Sequence, residues 1–97
     1  MLTAVNSVTL SDVRVIKVGK IVFAEFVASW SYTSTDIDVA FVDDSIIPVF
    51  QTFGAAYVKD SDSYYMGVVE GKGTNAISIK MTKATTAAIV RAQWIIN

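Results

Sequence analysis

Cysteine and histidine are both missing from this 97-residue chain. Without cysteine there is no disulfide framework, no thiolate metal site and no thiol nucleophile. Without histidine the commonest general base is gone, and no Gly-x-Ser-x-Gly elbow presents a serine. The chain therefore reads as no enzyme and as holding no cofactor. Proline occurs once, at Pro48. Charged residues make up 18% of the chain, against about 25% in an average soluble domain. The lysines and arginines stand singly and the net charge is −1, so no basic stripe invites nucleic acid. No apolar run approaches the ~20 residues of a membrane-spanning helix, which argues against membrane insertion. The start, MLTAVNSVTL, lacks the charged and long apolar regions of a secretory signal.

What is abundant is apolar surface, at 53% of residues. Residues 1–97 make one small domain, and a domain of this size has a limited interior. The excess predicts a buried contact between copies.

The stretch Asp12–Trp30, DVRVIKVGKIVFAEFVASW, organises the rest. It predicts two strands joined by a tight turn at Gly19-Lys20, where glycine can take a positive φ without steric cost. In the second arm the even positions Val22, Ala24, Phe26, Ala28 and Trp30 are all apolar, while the odd ones, Ile21, Phe23, Glu25, Val27 and Ser29, are mixed. The last stretch, Thr86–Ile96, repeats this, with Ala88, Val90, Ala92, Trp94 and Ile96 on its even face. Alternation with period two predicts strands, not a helix, over Lys83–Trp94 as well. The alanines leave room for bulky groups from a facing sheet, so the even faces belong in the core. The odd faces, with Phe23, Val27, Ile89 and Ile95, then look outward and form the expected contact between copies.

Between these stretches the pattern predicts a first strand near Val5–Leu10, a loop at Tyr32–Asp36 and a strand over 37–42. A turn at Asp43–Ser45 precedes an apolar strand Ile46–Phe50 that Pro48 confines to an edge or makes irregular. A short strand at Ala55–Lys59 leads to a polar tip, Asp60–Ser63. A hairpin of Tyr64–Val69 with Asn75–Met81 follows, then a turn at Thr82–Thr85. About eight short strands at this spacing spell an all-β antiparallel sandwich, jelly-roll-like. Gly71-Lys72-Gly73 is a hairpin turn, since a phosphate loop needs a longer glycine pattern and a following helix.

Asp36, Asp38, Asp43, Asp44, Asp60 and Asp62 could offer hard oxygen ligands, but their spacing matches no calcium loop and turns account for them. No metal is expected. Tyr57, Asp60, Asp62, Tyr64 and Tyr65 cluster around one short loop. Tyrosines supply flat apolar faces and carboxylates accept hydroxyl hydrogen bonds, a combination suited to a saccharide. These five residues are the candidate ligand site.

Asp12–Trp30 resembles the strand–turn–strand that enters the β-sandwich head of phage receptor-binding and fibre proteins. The segment Ile46-Ile47-Pro48-Val49, the hairpin containing Gly67 and ending Asn75-Ala76-Ile77-Ser78-Ile79, and the closing strand Val90–Ile96 are similar too. The resemblance implies a homotrimeric head, the C-terminal piece of a longer fibre, in the tail, baseplate or capsid fibre of a virion. Its implied partners are other virion proteins and a bacterial surface saccharide, bound without chemistry. A capsid-decoration or trimerisation module without a ligand is the alternative.

Overall fold

The computed structural model describes residues 2–5, 7–49, 53–60, 63–70 and 75–97, with the backbone alone at 32–35, 53, 56–60, 63–70 and 81–85. The chain is an antiparallel β-sandwich. Its strands are β1 (Leu2–Ala4), β2 (Val8–Val18), β3 (Ile21–Val42), β4 (Phe53–Asp60), β5 (Ser63–Glu70) and β6 (Ala76–Ile95), with one 3₁₀ turn at Asp44–Ile46. Two of the strands, β3 and β6, run for 22 and 20 residues. They pair with each other along nearly their whole length and pass through both layers. Counted by layer, the six continuous strands contribute eight segments, four to each layer.

In the first layer β2 flanks the start of β3, which pairs with the end of β6, which pairs in turn with β4. In the second, β1 flanks the end of β3, which pairs with the start of β6, which pairs with β5. The β4–β5 hairpin joins the layers on one side.

The sequence pattern located the core. Every even residue from Val22 to Trp30 and from Ala88 to Ile96 is buried. Val8 of β2, Ile37 and Val39 of β3 and Ile77 and Ile79 of β6 complete the interior. Burying each such side chain is worth about 1.5–3 kcal/mol relative to leaving it in water.

A two-residue turn at Gly19-Lys20 closes the β2–β3 hairpin, with Val18 opposite Ile21. Gly19 has φ 59°, the left-handed value that a turn opening on glycine uses. Further along β2 the register slips between Ser11 and Arg14, where Asp12 takes φ 53°. This bulge inserts a residue and reverses which positions face inward. Before it, Val8 is buried and Leu10 packs on the core; after it Val15 packs there, and Ile16 and Val18 are exposed.

Four expectations are corrected. Tyr32–Asp36 is no loop between strands but the middle of β3, with register shifts between Ser29, Ser34 and Asp36 where the strand passes between layers. Thr82–Thr85 is likewise inside β6. Local turn preferences of Ser and Asp lose there to pairing with the other long strand, and the threonines, being β-branched, suit an extended backbone. Ile46–Val49 makes no strand: the 3₁₀ turn carries Ile46, and Ile46 and Pro48 are both fully buried; Phe50, the end of the expected strand, lies outside the described residues. Of the expected first strand at Val5–Leu10 only Val8–Leu10 is strand, as the start of β2; Ser7 before it takes φ 72°, and β1 lies ahead of Val5.

Candidate functional site

The two layers turn very different outer faces to their surroundings. On the second layer, strand register places Asp36 opposite Lys80 and Asp38 opposite Ser78, and the Ser78 hydroxyl donates to the Asp38 carboxylate. That face is polar around the middle of the sheet, as expected of a sheet surface in water.

The outer face of the first layer is not. It is built of cross-strand rows, each fixed by register. One row runs Val18, Ile21, Ile95 across β2, β3 and β6; the next runs Ile16, Phe23, Gln93. The third is charged, Arg14, Glu25, Arg91, and the fourth carries Val27 beside Ile89. Ile16 is 60% exposed, Phe23 43%, Ile89 46% and Ile95 45%. Val27 is half-buried. The residues expected to meet another copy, Phe23, Val27, Ile89 and Ile95, thus lie on one continuous surface. Ile16, Val18 and Arg14 of β2 join it, and the sequence reading missed them. The signal was available: a two-residue turn at Gly19-Lys20 fixes Val18 on Ile21, Ile16 on Phe23 and Arg14 on Glu25.

Within this face lies a shallow hollow of about 480 Å³, lined by Arg14, Ile16, Phe23, Glu25, Arg91 and Gln93 among others. Arg91 Nε lies 3.2 Å from Glu25 Oε2, and both side chains are largely open to solvent. The floor is apolar and the polar groups form one stripe across it. Such a surface can be covered by another surface; it assembles no nucleophile beside a base.

The tyrosine and aspartate cluster is on the β4–β5 hairpin, where Tyr57 stands opposite Ile89 at the end of the fourth row and the other members lie beyond it. Register places Tyr57 opposite Met66, Val58 opposite Tyr65, Lys59 opposite Tyr64 and Asp60 opposite Ser63. Asp62 lies outside the described residues. Tyr64 and Tyr65 are adjacent in one strand, and successive strand positions alternate between faces. Beyond the Tyr57–Ile89 and Gly67–Met81 pairs, residues 58–60 and 63–65 pair only with each other among the described residues. The Gly71-Lys72-Gly73 segment also lies outside them. No group of three acidic residues that could hold a metal occurs among the described residues.

Comparison with family models, with curated proteins and with solved structures returns no match.

Proposed function

We propose that this domain is a non-catalytic attachment head, the role its resemblance to phage fibre and receptor-binding heads implies, and that its copies associate through the outer face of the β2–β3–β6–β4 layer. The observation that carries the reading is the outer face of the first layer, where Ile16, Val18, Ile21, Phe23 and Ile95 on one side of the charged row and Ile89 on the other are all exposed. Monomeric soluble proteins rarely leave large contiguous apolar patches exposed, and those that persist mark contacts. Each of these side chains forgoes up to about 1.5–3 kcal/mol while it stays in water. A neighbouring copy recovers that term.

The attachment half of the reading is supported by the end of the β4–β5 ribbon, whose strand pairing among the described residues is internal to the hairpin. A strand pair that leaves the sheet presents its tip to a ligand without disturbing the core. Tyr57, Asp60, Tyr64 and Tyr65 fall on this ribbon, with Asp62 between its strands in sequence, and the proposed ligand is a bacterial surface saccharide. Several copies on one head would multiply weak single contacts. A virion fibre is the proposed location.

Light scattering behind size exclusion tests the assembly: a multiple of the 10.5 kDa chain mass is expected, and a monomer at micromolar concentration removes the reading. Phe23→Glu should lower the mass to that of one chain without unfolding it. Adsorption of the assembled protein to bacterial cell walls, lost in an Asp60→Ala, Tyr64→Ala variant of unchanged mass, separates an attachment head from a purely structural module. Undiminished adsorption by that variant moves the ligand site off the ribbon.

A further inference from the structure

We infer that two copies of this chain pack face to face through the outer layer about a two-fold axis lying between β3 and β6 and parallel to them, so that Glu25 of each copy sits over the partner's Arg91. This rests on the self-association proposed above and adds its register, which the charged row determines.

The row reads positive, negative, positive across β2, β3 and β6, at Arg14, Glu25 and Arg91. A contact in which identical copies present the same patch to each other is two-fold. Sheets stacked face to face keep their strands within about 30° of alignment at about 10 Å separation, so rows of one copy lie over rows of the other. Few axis positions are compatible with the charges. An axis along the row sets every charge over its own copy. One centred on β3 sets Glu25 over the partner's Glu25 and Arg14 over the partner's Arg91. One centred on β6 sets Arg91 over the partner's Arg91. Like charges brought together at an interface are strongly unfavourable. An axis between β2 and β3 pairs Arg14 with the partner's Glu25 but leaves Ile89 and Ile95 at the margin.

The axis between β3 and β6 satisfies both requirements. Glu25 lies over the partner's Arg91 and the reverse, so the ion pair already made within each chain is extended into a closed square of alternating charges. The apolar rows fall in register at the same time: Ile21 over the partner's Ile95, and Val27 over the partner's Ile89. Phe23 lies over the aliphatic stem of the partner's Gln93. The face is large enough. Four strands about 4.8 Å apart and nine residues at about 3.3 Å give a flat footprint of roughly 550 Å²; side-chain relief brings this toward the ~800 Å² per partner of a standard interface. The outer face of the second layer, with Asp36, Asp38 and Lys80, stays in water.

Charge reversal tests the register. By sedimentation equilibrium the wild-type chain should be a dimer. Glu25→Arg and Arg91→Glu should each weaken the dimer at least tenfold, because each makes all the facing charges alike. Mixing the two single variants one to one should restore a dimer containing one of each, and the double variant E25R/R91E should dimerise by itself. Restoration on mixing is diagnostic, since a pair acting only within a chain stays like-charged in both variants whatever they are mixed with. Circular dichroism melts confirm that each variant is folded. If Phe23→Glu dissociates the wild-type assembly but the mixture shows no restoration, the register is overturned while the contact face stands. A mass of three chains, as the family resemblance implies, overturns the two-fold arrangement, because an odd ring cannot alternate the two variants. A monomeric wild type overturns the face and the register together.

Discussion

The indole N–H of Trp94 donates a hydrogen bond to the carbonyl oxygen of Ile46 at 2.6 Å, in the buried interior. Three residues on, the Val49 N–H donates to the Ile95 carbonyl at 3.0 Å. The irregular segment after β3 is therefore fastened to the closing strand at both ends. Pro48, buried between the two bonds, has no N–H to leave unsatisfied there. The contact explains why a segment as apolar as Ile46–Val49 forms no strand: its work is to plug the core beneath Trp94.

Trp94 consequently contributes through both volume and its N–H, and two substitutions separate them. Trp94→Phe keeps an aromatic ring but leaves the Ile46 carbonyl without its donor, at a cost of about 1–3 kcal/mol. Trp94→Ala empties the site as well and should cost about 3–5 kcal/mol. Urea unfolding monitored by circular dichroism measures both. Equal losses for the two variants would show that the hydrogen bond, which both lack, accounts for the whole loss and the ring volume for none of it.

Gly19 and Gly54 are needed for different reasons, and one substitution tells them apart. Gly19 holds φ 59° with no atom within 4 Å of where a Cβ would be. The restriction is in the backbone angle, which asparagine tolerates better than other residues. At Gly54 a Cβ would collide with the Arg91 carbonyl oxygen and lie 2.8 Å from Ala92 Cα, so β4 and β6 approach too closely for any side chain. Gly19→Asn should shift the melting temperature little, whereas Gly19→Ala costs about 1 kcal/mol. Gly54→Ala should destabilise more than either, and Gly54→Asn should be no milder than Gly54→Ala. A mild Gly54→Asn would mean that the strands can separate there.

Much of this architecture was legible in the chain because period-two alternation is a direct consequence of strand geometry. The pure even faces of 20–30 and 86–96 had only one sensible destination, and Phe26, Val90 and Trp94 are buried as that pattern requires. The odd faces were legible as outward for the same reason. What was not legible depends on partners distant in sequence. Nothing local in Tyr32–Asp36 reveals that Ser34 will pair with Thr85, so a polar run that continues a strand looks like a loop. The share of β2 in the outer face needed the hairpin register, and the bulge at Asp12 then inverted the parity. Asp43, Asp44 and Ser45 did mark a chain reversal, but the burial of Ile46 and Pro48 depends on the cavity that Trp94 leaves beneath it.

The Glu25–Arg91 pair should contribute little to the folding of one chain. Arg91 Nε and Glu25 Oε2 are 3.2 Å apart, with side chains 65% and 46% exposed, and exposed pairs are worth about 0–1 kcal/mol because water and salt screen them. Glu25→Gln should therefore change the unfolding free energy by less than ~1 kcal/mol when measured at a concentration low enough to keep the protein monomeric. The same substitution should weaken assembly at higher concentration. A large loss of monomer stability would assign the pair a folding role that its exposure argues against.

The alanines of the core are as constrained as its large residues. Strand register sets Ala24 opposite Ala92 and Ala28 opposite Ala88, between rows in which Val22 faces Trp94 and Phe26 faces Val90. All eight are buried. Small rows alternate with large ones along the paired strands, so bulk from the opposite layer has a place to enter. Interiors of this kind are packed as densely as organic crystals and accommodate an added methylene only by displacing neighbours. Ala28→Leu or Ala92→Leu should therefore destabilise the fold by about 1–3 kcal/mol although each adds apolar surface. The outward-facing Ala87 provides the control: it is exposed, and Ala87→Leu should leave stability within about 0.5 kcal/mol of the wild type. Denaturant midpoints for the three variants decide the matter. Stabilisation by Ala28→Leu would show that the small rows border a void and are not filled from the facing layer.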